Sequence, residues 1–251
     1  MTRLGTSRPS LKLPAPEEPL PVGPAKVAAV RNLFDTIAPR YDLVNRIMTF
    51  GMDRGWRRKT VGSLALPKSA TVVDLACGTG DLCRDLDAAG YHAIGVDLSF
   101  GMLAHARTSS PLLQGDALCL PLPDHSVDGV VSGFALRNFM ELPPVFAELA
   151  RILRPGGRIA LLDVAQPEQR LLRAGHRIYF GHVVPRIGGL LSDAPAYKYL
   201  PRSLAYLPPP ASVLAMLSAA GFDEVQRRLL SGGITQLYTA TRRALPDRKA
   251  P

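Results

Sequence analysis

Residues 72–82, VVDLACGTGDL, join an apolar run to a glycine loop. The run reaches a carboxylate at Asp74, and Gly78 and Gly80 then follow one residue apart. A continuous run of β-branched and apolar residues is typical of a strand that is buried on both faces of a parallel sheet. Glycines let the loop backbone approach a ligand closely. The stretch therefore predicts either a phosphate cradle or the floor of a pocket for a ligand without phosphate.

Strand and helix patterns alternate on both sides of this loop. We predict strands at 71–77, 92–99, 111–117, 126–136 and 158–165, with helices between them. Repeated βα units of this length imply a parallel sheet with helices on both faces. A helix at 211–220 is followed by strands at 223–230 and 234–242 around the turn SGG. The expected fold is α/β, with a seven-stranded, mostly parallel sheet and one antiparallel edge strand.

The remaining segments flank or interrupt this sheet. We expect a single domain over 26–242, which begins with N-terminal helices at 26–66, the third of them at 54–66. Residues 1–25 are proline-rich and predict a disordered tail. Residues 167–210 contain helical patterns without a strand and predict a helical lid over the sheet. Residues 243–251 form a short basic tail.

Composition limits the classes of function. The chain has 251 residues and a formal net charge of +9. Its three cysteines show no C-x-x-C pair or zinc spacing, and its N-terminus has no apolar signal region, so we expect a cytoplasmic protein without a metal. The basic residues are scattered and form no nucleic-acid module, so nucleic acid is not expected. An anionic membrane surface is the favoured partner for the positive charge.

The acidic residues at strand ends indicate the ligand. In an open α/β sheet, ligands bind beyond the carboxyl ends of the strands, where Asp97 can accept hydrogen bonds from a ribose. A dinucleotide site would place a third glycine where Cys83 stands. The carboxylate of Asp74 disfavours phosphate and suits a cationic ligand such as S-adenosylmethionine, with Asp116 placed to bind the adenine amino group. Asp74 and Asp116 could instead be turn formers.

Six blocks of the chain together resemble the UbiE/MenG family of C-methyltransferases in menaquinone and ubiquinone biosynthesis. They are FDTIAPRYDLVN (34–45), DLACGTGD (74–81), GDALCLPLPDHSVD (115–128), FALRNF (134–139), RILRPGGRIALLD (151–163) and VVPRIGGLLSDAPAYKYLPRS (183–203). The resemblance implies a Rossmann-like class I methyltransferase fold. It also implies S-adenosyl-L-methionine as cofactor and a prenylated quinol, most simply demethylmenaquinol, as substrate.

The resemblance also assigns cofactor residues. The family's cofactor threonine falls on Thr79, its ribose acid on Asp97, and its adenine contacts on Asp116 and Ala117. Asp74, Gly78 and Gly80 complete the expected site. Gly133 stands where many members have a serine, and Ala135 replaces the usual glycine. Ser132 next to it could take over the serine contact only if the register tolerates it, because in a strand it would face the other way.

Four residues are candidates for catalysis. Methylation of a ring carbon requires an electron-rich ring, which a quinol provides when one hydroxyl loses its proton. We expect Arg137, with Asn138 beside it, to follow the fourth strand and stabilise the phenolate. Tyr41 could close over the substrate, and His182 is a candidate general base. The competing interpretations are a capping or ion-paired Arg137, a Tyr41 in the core and a structural His182.

The apolar residues and arginines of 167–210 suit the prenyl tail and peripheral contact with the inner face of an anionic membrane.

Three alternative functions stay open on the sequence alone. The departures around Gly133 also allow a methyltransferase of a soluble small molecule. The charge allows a non-catalytic RNA- or lipid-binding module, and an NAD-dependent oxidoreductase comes last. A homodimer is left open.

Overall fold

The computed structural model describes residues 22–165, 167 and 202–244. Its centre is a sheet in the order β3-β2-β1-β4-β5-β7-β6. The first five strands are parallel, and β7 runs antiparallel to both β5 and β6. The strands are β1 Thr71–Leu75, β2 His92–Asp97, β3 Leu112–Gln114, β4 Val127–Gly133, β5 Leu153–Val164, β6 Phe222–Leu230 and β7 Thr235–Arg242. The predicted seven-stranded α/β sheet is confirmed, and its antiparallel strand lies one place in from the edge.

Helices cover both faces of this sheet. They are α1 Gly23–Ile37, α2 Tyr41–Met48, α3 Asp53–Ser63, α4 Asp81–Ala88, α5 Phe100–Ala104, α6 Leu142–Ile152 and α7 Pro210–Ala219. Short 3-10 turns occupy Ala38–Arg40, Leu136–Asn138, Leu204–Tyr206 and Ser231–Gly233. No helix in these described ranges is both long enough and apolar enough to cross a membrane.

Backbone conformation corrects several sequence-based boundaries. β1 ends at Leu75 rather than at residue 77, because Ala76 adopts a left-handed φ of 57° that turns the chain out of the strand. β4 ends at Gly133 for the same reason, since Phe134 has a φ of 61°. β5 begins at Leu153, five residues before the predicted start, because Leu153 pairs with Val127 ahead of a register shift.

The N-terminal helices also differ from the sequence-based boundaries. α1 begins at Gly23 instead of residue 26, because a proline fits the first helical turn, where its missing N–H is not needed. α3 is Asp53–Ser63 rather than 54–66. Of the predicted lid at 167–210, most lies outside the described residues. The described end contains the 3-10 turn at Leu204–Tyr206 and the start of α7.

The core lies in two layers on opposite faces of the sheet. Alternate side chains of one strand pack into different layers, as the two-residue period of a strand requires. On β1, Val73 packs with Phe146 and Leu149 of α6, whereas its neighbour Val72 packs with Trp56 of α3. A smaller cluster of Leu33, Ile37, Val44 and Met102 joins α1 and α2 to α5. The N-terminal helices are thereby fixed beside the carboxyl ends of β1 and β2.

Candidate active site

The strand order places a crevice at the carboxyl end of β1. β1 lies between β2 and β4, so the chain leaves it in one direction and returns on its other side. Such a reversal of strand order separates the loops that follow the two strands and leaves room for a ligand. The glycine loop follows β1 at this position, and the ends of β2 and β4 stand on either side.

Asp97 holds the glycine loop in position at this crevice. Its two carboxylate oxygens accept hydrogen bonds from the backbone N–H groups of Gly78 at 2.7 Å and Ser99 at 2.8 Å. Loss of solvent raises the pKa of Asp97, although these two hydrogen bonds oppose the rise. The predicted end-of-strand carboxylate is therefore present and directed at the loop.

The glycine loop requires glycine at one position in particular. Gly80 has a φ of 82° at the start of α4, a region that L side chains rarely occupy. A Cβ there would lie 2.8 Å from Cγ2 of Thr108. Between the glycines, Thr79 is buried and donates a hydrogen bond from its hydroxyl to the carboxylate of Asp42 on α2.

Asp74 is a buried acid in the floor of the crevice. Its side chain is 1% exposed, Oδ2 lies 3.4 Å from Sγ of Cys83, and Oδ1 has no hydrogen-bond partner within the described ranges. Desolvation raises the pKa of Asp74 to about 8, and the charge of Asp97 adds to the rise. A buried carboxyl with an unused oxygen is suited to a cationic group, which would favour its ionised form.

Two cavities meet at the crevice. The smaller, of about 120 Å³, is lined by Asp97, Asp116 and Ala117, and the larger, of about 450 Å³, by Asp74, Trp56 and Arg137. Six residues line both: Phe34, Tyr41, Ala76, Gly78, Gly133 and Phe134. A ligand in the smaller cavity can therefore reach a second ligand in the larger one at this shared wall.

The remaining cofactor candidates fall on these walls. Ala117 is buried and Asp116 is exposed, and the backbone N–H of Leu118 donates to Oδ1 of Asp116 at 3.0 Å. Gly133 is in the shared wall, where a Cβ would lie 3.0 Å from Cδ1 of Leu82. Ser132 is buried and donates to the carbonyl oxygen of Leu75 at 2.8 Å, so its hydroxyl is occupied away from both cavities.

Arg137 lines the larger cavity and is also an ion-paired residue. Nη1 lies 2.5 Å from Oδ1 of Asp163, which is fully buried at the end of β5, and 2.6 Å from the carbonyl oxygen of Phe134. Nε donates to the hydroxyl of Ser203 at 3.1 Å. The neighbouring Asn138 lines the smaller cavity instead. The ion pair anticipated as an alternative is present, and it does not remove Arg137 from the cavity wall.

The structure describes Tyr41 but not His182. Tyr41 begins α2, lines both cavities and packs edge-on against Phe34, with ring centroids 5.9 Å apart. Desolvation raises the pKa of Tyr41, while the charge of Arg137 opposes the rise. Tyr41 is thus part of the site rather than of the core alone. His182 lies outside the described residues.

Several functional contacts were not predicted from the sequence. Asp35 on α1 accepts from the hydroxyl of Ser99 at 2.5 Å and from the N–H of Gly101 at 2.9 Å. Asp35 and Asp42 both belong to the block FDTIAPRYD. That block indicated that this stretch matters, but it did not indicate which groups the two carboxylates bind. Thr235 is fully buried in the wall of the larger cavity, and its hydroxyl has no hydrogen-bond partner within the described ranges.

The fold, the switch-point crevice and the acids that end its strands define a class I methyltransferase. The chain belongs to the ubiE/COQ5 methyltransferase family, whose model matches residues 23–242. The resemblance seen in the six sequence blocks is thereby confirmed.

Two relatives of similar length agree with this assignment. A Syntrophotalea carbinolica protein named ubiquinone/menaquinone biosynthesis C-methyltransferase UbiE is 42% identical, over 84% of this chain and 93% of the relative. A Thermus thermophilus protein named demethylmenaquinone methyltransferase is 41% identical, over 84% of this chain and all of the relative.

Solved structures of low identity show the fold alone. A chain of the complex between the Haloferax volcanii Trm112 activator and a putative methyltransferase superposes with a TM-score of 0.62 at 20% identity, covering 84% of this chain and 97% of that one. A Thermotoga maritima S-adenosylmethionine-dependent methyltransferase gives 0.61 at 18% identity, covering 85% and 99%.

Proposed function

We propose that this protein transfers a methyl group from S-adenosyl-L-methionine to a ring carbon of a prenylated quinol, and that demethylmenaquinol is the substrate. Its relatives carry the names of that reaction. The observation that carries the proposal is the pair of cavities that share one wall at Gly78 and Gly133. Donor and acceptor can meet there without crossing solvent.

The smaller cavity fits the adenosine part of the cofactor. Asp97 stands at the end of β2, where a carboxylate can bind ribose hydroxyls, and Asp116 and Ala117 line the adenine side. Gly78 and Gly80 bring the loop backbone close to the ligand, and Thr79 is held by Asp42. Asp74, whose Oδ1 has no partner within the described ranges, lines the larger cavity, so the cationic end of the cofactor would reach it beyond the shared wall. When bound, the cofactor supplies an electrophilic methyl group on a sulfonium.

The larger cavity fits an aromatic ring. Its volume of about 450 Å³ is in the range of small-molecule pockets, and Trp56, Phe134 and Ile234 provide apolar walls. Holding the ring carbon about 3–3.5 Å from the methyl group is the main task of these walls. We propose that the hydroxyl of Thr235, which is enclosed in the cavity wall without a partner in the described ranges, bonds a ring oxygen once the quinol binds. Arg137 supplies the cation nearest to the shared wall, where the phenolate develops.

The prenylated substrate also implies contact with a lipid bilayer. Its tail is apolar, and the substrate therefore resides in a membrane from which the enzyme must take it. We propose peripheral contact with an anionic membrane surface, in keeping with the net charge of +9. The arginine-rich stretch of 167–210 that suggested this contact lies mainly outside the described residues.

A methyl-transfer assay tests the proposed reaction. The purified protein is given demethylmenaquinol and S-adenosylmethionine with a deuterated methyl group, and the product is identified by mass spectrometry. We expect a ring-methylated quinol that carries the label. Label transfer to soluble phenols but not to the quinol would assign the protein to soluble small molecules. Absence of cofactor binding by calorimetry would contradict methyl transfer altogether.

A further inference from the structure

The surface at the α2–α3 corner carries a cluster of exposed apolar side chains. Leu43 is 56% exposed, Ile47 37%, Phe50 73% and Met52 37%. These are four of the nine large apolar side chains that are exposed among the described residues, and they fall within ten residues of sequence. Concentrated exposure of this kind marks an interaction surface rather than ordinary scatter.

Local geometry directs these side chains outward. Leu43 and Ile47 are four residues apart and share one face of α2. Phe50 has a φ of 50° at the tip of the turn, an uncommon conformation for a bulky residue. The backbone N–H of Gly51 closes this turn on the carbonyl oxygen of Arg46 at 2.9 Å. The tip is therefore a tight structure with an aromatic ring at its outer end.

The charges around this corner are sorted by sign. Between residues 41 and 66 the chain has two acids, Asp42 and Asp53. Asp42 is bound to Thr79, and Asp53 is buried 2.5 Å from Nη1 of Arg57. Both negative charges thus face inward. The exposed charged side chains of the same stretch are all basic: Arg46, Arg54, Arg58 and Lys59.

The apolar corner is continuous with the larger cavity. Phe50 and Met52 line that cavity and are also exposed, so the cavity opens at the corner. A cavity of about 450 Å³ accommodates a ring but not a long prenyl chain, which must leave through an opening. An apolar opening whose chain segment exposes only basic charged side chains is complementary to a membrane that contains anionic lipids.

We infer that the α2–α3 corner docks on an anionic phospholipid bilayer and is the mouth through which the quinol's ring enters the larger cavity while its tail stays outside. Leu43, Ile47 and Phe50 insert at the level of the headgroups, while Arg46 and Arg54 lie against lipid phosphates. The inference rests on the proposed function for the identity of the tail. The bilayer contact itself rests only on the surface described.

Vesicle sedimentation tests the contact without any methylation. The double variant Leu43→Glu/Ile47→Glu changes two side chains that line neither cavity. We expect it to lose about tenfold or more of its partition onto vesicles of phosphatidylglycerol and phosphatidylcholine. Wild-type binding should weaken with added salt and on vesicles of phosphatidylcholine alone. The matched control is Leu229→Glu on edge strand β6, which is 36% exposed and should bind as wild type.

Activity links the surface to substrate entry. The double variant should retain turnover of a short-tailed quinol in solution and lose turnover of a long-tailed quinol in anionic vesicles. Arg46→Gln/Arg54→Gln should weaken vesicle binding without changing apolar area, with Arg228→Gln on β6 as control. This second pair tests the contact even if the glutamate variant does not fold.

The outcomes separate the two proposals. Unchanged vesicle binding in both variants overturns the docking surface. A lower melting temperature or a changed oligomeric state with unchanged vesicle binding also overturns it, because the corner then packs on this chain or on a second copy. Vesicle binding that depends on the corner, with no methylation of either quinol, upholds the surface and contradicts the proposed reaction.

Discussion

At the scale of single residues, Asp74 is the acid that we propose to select a cationic ligand. The side chain is buried, desolvation raises its pKa to about 8, and Oδ1 is unpaired within the described ranges. The unliganded protein therefore holds a proton on Asp74 at neutral pH. A cation bound beside it favours the carboxylate and lowers the pKa, so that binding releases the proton.

The affinity for S-adenosylmethionine should accordingly rise with pH up to about 8. Calorimetry in two buffers of different ionisation enthalpy should detect proton release near neutral pH, and Asp74→Asn should bind more weakly, without proton release.

The same group should affect stability. In the native state Asp74 binds its proton more tightly than when unfolded, where its pKa is 3.8. Stability of the unliganded protein thus falls as pH rises between these values, and Asp74→Asn should reduce that fall. Affinity independent of pH in the wild type would contradict this account.

Arg137 has a structural partner as well as a place in the cavity wall. Arg137→Ala leaves the buried carboxylate of Asp163 without its cation, so we expect a loss of about 3–5 kcal/mol in the free energy of unfolding. Arg137→Met/Asp163→Asn removes both charges. In the wild type Oδ2 of Asp163 accepts from the backbone N–H of residue 137 and Oδ1 from that of Val164. The single oxygen of asparagine can keep one of these two hydrogen bonds.

The double variant separates the two roles of Arg137. Denaturant unfolding should show part of the stability restored, because no charge is left unpaired but one backbone N–H loses its acceptor, while kcat stays about 10²–10³ lower because the phenolate has lost its cation. Cofactor affinity should change little. Recovery of kcat together with stability would show that Arg137 only holds the loop after β4.

Thr235 should contribute to quinol binding through its unused hydroxyl. Thr235→Val keeps the shape of the side chain and removes the hydroxyl, so the protein should fold with unchanged or greater stability. Loss of one hydrogen bond of about 0.5–1.5 kcal/mol should raise KM for the quinol several-fold. Steady-state kinetics checks this, with Thr241→Val on the same strand, which lines neither cavity, as the matched control. An unchanged KM would remove Thr235 from the substrate site.

At the scale of elements, α1 and α2 hold the loops that form the cofactor cavity. Asp35 accepts from groups at the start of α5, and Asp42 accepts from Thr79 in the glycine loop. Lys26 donates from Nζ to the carbonyl oxygen of Phe139 at 2.5 Å, and its ammonium lies 3.9 Å from the ring centroid of Tyr206. The N-terminal helices therefore connect four separate segments of the chain: the start of α5, the glycine loop, Phe139 and Tyr206.

The bond between α2 and the glycine loop should be measurable in a double-mutant cycle. Asp42→Ala and Thr79→Val should each weaken cofactor binding, and the double variant should be little worse than the weaker single variant. The coupling should be about 1.5–3 kcal/mol, as for hydrogen bonds to charged groups. Asp124→Ala, an acid 67% exposed and remote from the crevice, serves as control. Additive losses would mean that the two residues act independently.

Sequence patterns predicted the elements better than their ends or their contacts. The alternation of βα units fixed the sheet and placed Asp97 and the glycine loop at one edge, because these depend on local periodicity. The ends of β1 and β4 were missed because Ala76 and Phe134 turn at positive φ without a glycine to signal it. The partners of Asp35, Asp42 and Arg137 are 26 to 66 residues away, and no local pattern contains them.

At the scale of the whole molecule, one wall joins two cavities. Asp97 and Asp116 line the smaller cavity, whereas Asp74, Trp56 and Arg137 line the larger one, which opens at the α2–α3 corner. Cofactor and quinol can therefore enter from different sides and meet at Gly78 and Gly133. We propose that methyl transfer takes place across this shared wall.

A structure of the complex with S-adenosylhomocysteine and a short-tailed demethylated quinol tests that claim most directly. We expect the ribose hydroxyls on Asp97, the sulfur beside Gly78 and Gly133, and the ring in the larger cavity with its unmethylated carbon facing the sulfur. The tail should run towards Phe50 and Met52. Adenine in the larger cavity, or a ring bound away from the shared wall, would contradict the account.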